Sequence, residues 1–247
     1  MLEVRGVSKA YGKKETKFKA LENVSFEAPE GSIIAIIGKS GSGKSTLMHL
    51  MSGLDSADEG KIIFHGKDIQ AMSKKAAEKF RATEMGFVFQ SFFIEPNQSV
   101  YQNVMLPLEI GKVKSSKRAD LVNGALASVE LADKSRSRAR DLSGGQKQRL
   151  AVARAIVHKP RLIFADEPTG NLDSQTGEKI IQLLFGLNKS LGCTLVIVTH
   201  DHELASRCQY KIELSDGLVK SITKPKTVAE RNAQALKPAP KPRRMLQ

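Results

Sequence analysis

No run of about 18 apolar residues occurs in this 247-residue sequence; the longest, Ile33–Ile37 and Leu195–Val198, have strand length. The chain is therefore not expected to cross a membrane itself. Its opening, MLEVRGVSKAYG, has no apolar h-region, so nothing points to secretion. Cysteine is scarce: Cys193 and Cys208 form neither a metal spacing nor a disulfide framework, which fits a reducing compartment. No repeat recurs at solenoid periods and no heptad run is present, so repeat arrays and long coiled coils are not expected.

Acidic residues are outnumbered, 26 against 39 Lys and Arg, for a net charge of +13. A basic balance of that size suits nucleic acid or an anionic membrane surface. From Lys220 onward eight Lys and Arg face Glu230 alone, so this stretch carries +7 of the total. Its end, LKPAPKPRR, is rich in proline and poor in core-forming residues, and residues 223–247 read as a disordered tail. Two roles stand open for it: a solubilising extension, or weak contact with anionic lipid headgroups.

What is present, from residue 1 to 222, alternates strand-like and helix-like text. SIIAIIG (32–38) is continuous and β-branched, as a strand buried on both faces of a parallel sheet should be. KIIF, GFVF, RLIFAD and TLVIVTH repeat the pattern, while VSFEA (24–28) alternates like a half-buried strand. Ile180, Leu184, Leu187 and Leu191 fall on one helical stripe, and SDG (215–217) between short apolar runs predicts a hairpin. Residues 91–143 read mostly helical, an insertion in an α/β layered domain.

GKSGSGKS, from Gly38 to Ser45, follows a buried strand and precedes a helical start, satisfying the phosphate-loop pattern. Gly38, Gly41 and Gly43 let the backbone N–H groups of this loop, with Lys39, Ser40 and Ser42 between them, curl into an anion nest at a helix N-terminus. Lys44 can reach the β- and γ-phosphates, and the Ser45 hydroxyl can ligate Mg²⁺. In RLIFADEP, Asp166 ends a strand whose carboxyl end faces the ligand crevice, placed to hold Mg²⁺, with Glu167 placed to polarise water. His200, after another apolar strand, can hydrogen-bond a γ-phosphate. His49, His65 and His158 have no motif context.

A second glycine-bearing helix start follows roughly a hundred residues on. In LSGGQKQRL, Ser143 is a favourable N-cap and Gly144 and Gly145 allow close backbone approach. Either two anions bind, or one nucleotide is held by loops of two chains; a merely well-capped helix is the bland reading.

LSGGQ beside a phosphate loop resembles the signature of ATP-binding-cassette (ABC) ATPases, and the likeness runs from about Leu2 to Ile222. The motif order agrees: Tyr11, GKSGSGKS, Gln90 in FVFQ, LSGGQ, LIFADEP, NLD and VTHD. The resemblance implies a phosphate-loop ATPase core with a mainly parallel sheet, an antiparallel N-terminal subsheet and the helical insertion. It also implies ATP and Mg²⁺ as cofactors and a head-to-tail homodimer in the ATP-bound state, each signature loop closing on the other chain's nucleotide. Carried over by position, Tyr11 stacks on adenine, and Lys44, Ser45 and Thr46 bind phosphates and Mg²⁺. Gln90 contacts Mg²⁺ or the attacking water; Ser143, Gly144, Gly145 and Gln146 complete the opposite site. Asp166 assists Mg²⁺, Glu167 is the catalytic base, Asp173 couples the two sites, and His200 is the γ-phosphate switch.

GFVFQ, NVMLPLE and ADEPTGNLDS resemble the branch of macrolide exporters and lipoprotein-releasing systems. In that branch a separate ATPase chain serves an integral membrane subunit, which implies a cytoplasmic protein peripheral on the inner face of the cell membrane. SFFIEPNQSVYQNV departs from the branch pattern, in a segment expected to face the partner; within it Phe92, Phe93 and Ile94 are candidates either for a groove accepting a partner helix or for core. The rival reading is a nucleic-acid-handling ABC-type ATPase. Such proteins usually insert coiled coils or zinc modules, and neither stands between the two loops here.

Overall fold

The structure is a computed structural model describing residues 1–13 and 16–225. The basic stretch from residue 226, expected as tail, lies outside the described residues. In chain order the elements are β1 (Leu2–Tyr11), β2 (Phe18–Ala28), β3 (Ile33–Ile37), α1 (Lys44–Met51), β4 (Glu59–Phe64), β5 (Lys67–Asp68), α2 (Lys74–Glu84), β6 (Met85–Phe89), α3 (Val100–Ile110), α4 (Ser115–Ser128), α5 (Gly144–Ile156), β7 (Leu162–Asp166), α6 (Ser174–Leu191), β8 (Thr194–Thr199), α7 (His202–Ser206), β9 (Tyr210–Ser215) and β10 (Leu218–Thr223).

Five strands, in the order β9-β3-β8-β7-β6, pair in parallel, and β10 closes one edge antiparallel to β9 through the 215–217 turn. The β-branched texts are the middle of this sheet: every residue of β3 and β8 is buried, because helices cover one face and α1 with the antiparallel sheet covers the other. A second sheet, β2-β1-β4-β5, is antiparallel throughout. Its buried residues, Leu2, Val4, Val24, Phe26, Ile62 and Phe64, share a core with α1 and with Ile34, Phe164 and Val196 of the parallel sheet. The fold is thus α/β with a mainly parallel sheet and an antiparallel subsheet.

Between β6 and β7 the chain leaves the sheet for α3, α4 and two short 3-10 turns at 132–134 and 139–141. Val100, Val104, Leu108, Val122, Leu126, Val129 and Leu131 bury against Leu150 and Ala153 of α5. Before α3, residues 91–97 form no helix; Ser99 caps α3 through a reciprocal bond with Gln102. Two expectations need amending. Leu191 is 37% exposed, because the helix ends there and Gly192 turns left-handed. β10 extends to Thr223, one residue into the stretch read as tail.

Candidate functional site

The parallel register brings three strand ends to one edge. Phe89 of β6 and Val198 of β8 flank Asp166 of β7, so Gln90, Glu167 and Thr199 emerge side by side. The loop 38–43 leaves the neighbouring end of β3 and feeds α1. Gly43, with φ of 99°, could carry no side chain: a Cβ there would lie 2.6 Å from the carbonyl oxygen of Ala20.

Lys44 folds over this loop, its Nζ donating to the carbonyls of Gly38 at 2.8 Å and Lys39 at 2.9 Å. Among the described residues no carboxylate pairs with it. A cation held by neutral carbonyls above the start of an eight-residue helix suits an anion with several oxygens. Ser45 and Thr46 occupy the first turn of that helix. Tyr11 lies beside it, 41% exposed, its hydroxyl donating to Asp55 at 2.7 Å and Lys9 approaching its ring. Burial and Asp55 raise the phenol above its ordinary pKa, with Thr46 acting the other way. An exposed ring fixed at the edge of a phosphate loop can stack a base.

Asp166 is electrostatically strained. Burial raises its carboxyl pKa, the adjacent Glu167 raises it further, and His49 and Lys44 partly offset both. Asp166, Gln90, His49 and Phe93 line one cavity. The donor set of Ser45 hydroxyl, Gln90 amide and Asp166 carboxylate is hard oxygen, which fits Mg²⁺. Among the described residues no group of three or more His, Cys, Asp or Glu could cage an ion alone, so Mg²⁺ held by these residues would need further oxygens from its ligand or from water.

Glu167 takes a left-handed backbone, φ 45°, rare for a residue with a side chain and costing on the order of 1–3 kcal/mol. Its own N–H donates to Val198 O at 2.9 Å, which fixes the turn. One carboxylate oxygen accepts from His200, and the other accepts from the Thr199 hydroxyl at 3.2 Å. His200, assigned from sequence to phosphate, thus meets Glu167 directly. Gln90 turns toward Asn171: the Asn171 amide donates to Gln90 O at 2.9 Å, and Gln90 Nε2 reaches Asn171 Oδ1 at 3.4 Å.

Ser143 and Gln146 cap α5 reciprocally: Ser143 Oγ accepts from Gln146 N at 3.3 Å, and Gln146 Oε1 accepts from Ser143 N at 2.9 Å. This consumes both side chains and leaves glycine N–H groups free at the helix start. Gly145 packs so closely on α6 that a Cβ would fall 2.5 Å from Thr176 Cγ2. Asp173 is the N-cap of α6, accepting from Thr176 N at 2.9 Å, and those bonds to the backbone hold its carboxyl below the ordinary range. Ser143–Gln146, Asn171, Asp173 and Lys179 border one shallow depression. Among the described residues no hydrogen bond joins Ser143–Gln146 to Gly38–Thr46. The structure therefore gathers Tyr11, the phosphate loop, Gln90, Asp166, Glu167 and His200 by their strand ends, and sets the signature residues with Asp173 elsewhere.

Several residues escaped the sequence reading. His49 stands beside Asp166 because α1 packs across the sheet. Arg154 of α5 donates to the carbonyls of Phe92, at 2.9 Å, and Phe93, and burial lowers its pKa. A groove of about 580 Å³ opens between α2, β6, α3 and α5, walled by Met85, Phe87, Phe89, Leu106, Pro107 and Ile110. His158 borders it, its Nε2 donating to Met85 O at 2.9 Å and its pKa lowered by burial. The 92–94 segment divides: Ile94 joins the core, whereas Phe93 is 68% exposed and stands edge-on to Phe89 outside the groove.

A phosphate loop, an acidic strand end and a signature helix on one α/β layer define a nucleotide-hydrolysing cassette. Residues 21–170 match the family model for ABC transporters. The ABC transporter ATP-binding protein YtrE of Bacillus subtilis is 41% identical over 224 residues, spanning 89% of this chain and 97% of its own. Dimeric MJ0796, a bacterial ABC transporter cassette, superposes with a TM-score of 0.82 at 38% identity, over 92% of this chain and all of its own. The same cassette solved as a post-hydrolysis dimer with ADP and Pi gives the same score at 37% identity, with the same coverage. CbiO1 from Clostridium perfringens, part of the transporter complex cbiONQ, also scores 0.82, at 30% identity over 94% of this chain and 92% of its own. The chain belongs to the ABC transporter family, as a Mg²⁺-dependent, ATP-hydrolysing cassette.

Proposed function

We propose that this cassette works as a head-to-tail homodimer on the cytoplasmic face of a membrane and drives a separate integral membrane subunit, for export, lipoprotein release or transmembrane mechanical work. The observation that carries this reading is the apolar groove. Ile110, 64% exposed on its rim, and the walls from Met85 to Pro107 offer an apolar slot lined also by Arg81, Arg154, Glu78 and His158. Among the described residues no helix is long and apolar enough to span a bilayer, so a path through it belongs to another chain. That CbiO1 is part of a multi-subunit transporter complex supports the same arrangement.

In this reading the loop 38–43 and Lys44 hold the triphosphate, Tyr11 stacks on the base, and Ser45, Gln90 and Asp166 carry Mg²⁺, which offsets charge on the phosphate oxygens. Glu167 accepts a proton from the water that attacks the γ-phosphorus in line with the leaving ADP. His200 and Thr199 orient the carboxylate. Ser143–Gln146 of the partner cover the phosphates, and Asp173, at the same face, couples the two sites. The insertion is two helices without a coiled coil or zinc module, which leaves the nucleic-acid reading without support.

The test is affinity purification of the Glu167→Gln chain from gently solubilised membranes with ATP, followed by mass spectrometry. Recovery of a membrane protein with few spans and a large outer domain supports the branch; a many-span permease keeps the ATPase role and overturns the branch. Nucleic acid without a membrane protein would overturn the reading.

A further inference from the structure

We infer that Gln148 is a positioning residue for hydrolysis, through which the signature helix sets the two groups that handle the attacking water. The inference rests on the roles proposed above for Gln90 and Glu167.

Gln148 lies one turn into α5 and is 1% exposed. Its amide nitrogen donates to two carbonyls: that of Pro168 at 2.6 Å and that of Phe89 at 3.4 Å. Both facing atoms are acceptors, so the nitrogen has to point at them and the orientation of the amide is fixed. Phe89 directly precedes Gln90, and Pro168 directly follows Glu167. One side chain of the signature helix thus grips the backbone beside each water-handling residue.

The two gripped segments are also locked to one another. Asn171 binds Gln90 through its side chain, Gly170 N donates to Glu167 O at 3.0 Å, and Gly170 lies against the Gln90 amide. A shift of α5 along its axis therefore moves Gln90 and Glu167 together.

The amide oxygen of Gln148 is buried and has no protein partner among the described residues. An unpaired acceptor in a core is destabilising, and leucine or methionine would fill the same volume without it. The neighbouring contacts could tolerate that exchange; the two donations could not. A local rule broken in this way, next to the chemistry, marks a functional constraint.

The experiment compares Gln148→Leu and Gln148→Glu in the full-length chain. Both keep the volume and lose the N–H donors. Steady-state ATPase kinetics are measured with thermal midpoints, Mg-ATP affinity, and the ATP-driven dimer of each combined with Glu167→Gln. The expected result is a kcat lower by up to about 10²-fold with KM unchanged, the scale of a misplacement of reacting groups by about 1 Å. Gln148→Leu leaves the Pro168 and Phe89 carbonyls without their donor, so a modest fall in thermal midpoint is expected, with the chain still folded at the assay temperature and the Glu167→Gln dimer still formed. An unchanged kcat in both variants overturns the inference. So does a rise in KM alone, which assigns the amide to ATP binding. A fall in kcat no larger than the loss of folded chain at the assay temperature overturns it too, by making Gln148 ordinary core. Should Glu167→Gln by itself turn over like the parent chain, the role of Glu167 fails, and that result is read separately from any of these.

Discussion

One carboxylate oxygen of Glu167 receives the backbone N–H of His200 at 3.0 Å and the ring Nδ1 of the same residue at 2.8 Å. Two donors from one residue aim that carboxylate along a fixed line. Glu167→Gln keeps the shape and loses the basic oxygen. ATP hydrolysis is expected to fall by about 10²–10⁴-fold, the usual contribution of a positioned base, with ATP affinity retained and a stable dimer on gel filtration. Wild-type turnover would refute the assignment. His200→Ala should lower kcat as well, since it frees the carboxylate without removing it.

Asp166 carries the pH argument. Its folded-state pKa lies above the ordinary carboxyl value because of burial and Glu167. Relative to the unfolded chain the fold thus penalises the charged form: the stabilising contribution of the protonated carboxyl is present at pH below the unfolded value and is lost as pH rises through the folded value. At neutral pH without Mg²⁺, Asp166→Asn is expected to raise the thermal midpoint. The same substitution should abolish the further rise that Mg-ATP produces in the parent chain. Differential scanning fluorimetry at two pH values, with and without Mg-ATP, reads both effects.

Ile110→Asp places a charge on the groove rim at a site already mostly in water. Exposed substitutions of this kind usually stay within about 0.5 kcal/mol, so fold and basal ATPase should persist. Co-purification of the membrane subunit should be lost. Retained assembly would show that the partner docks elsewhere.

Gly145→Ala puts a methyl group 2.5 Å from Thr176 Cγ2. α5 and α6 have to separate slightly at the signature end, which tilts the glycine N–H groups. The expected outcome is normal binding of ATP by the monomer and a weakened ATP-driven dimer, measured by analytical ultracentrifugation in the Glu167→Gln background.

Sequence reading reaches furthest where a motif is written in contiguous backbone. Gly38 to Ser45 is a loop leading into a helix start, and Ser143 caps α5 with Gln146, three residues on; neither needs a distant partner to be recognised. β3 and β8 were equally plain, since burial on both faces demands unbroken β-branched text. β1 was not read, because shifts in register between Val4 and Val7 and again before Lys9 break its alternation. Residues 92–94 are open in sequence between a partner groove and core, whereas the walls of the observed groove come from α2, β6, α3 and α5, which only packing brings together. His49 and Gln148 show the same limit: each sits in helical text as an ordinary polar position and becomes informative once Asp166, or the carbonyls of Phe89 and Pro168, stand opposite.

The separation of Ser143–Gln146 from the phosphate loop has a genetic reading. In the head-to-tail dimer proposed above, each chain lends one half of a catalytic centre to its neighbour and borrows the other half back. Damage to Lys44 in one chain and to Ser143 in another therefore falls on a single shared centre of the mixed pair, and the second centre inherits only sound parts. Two inactive alleles expressed together should complement, restoring hydrolysis at one centre in each such pair.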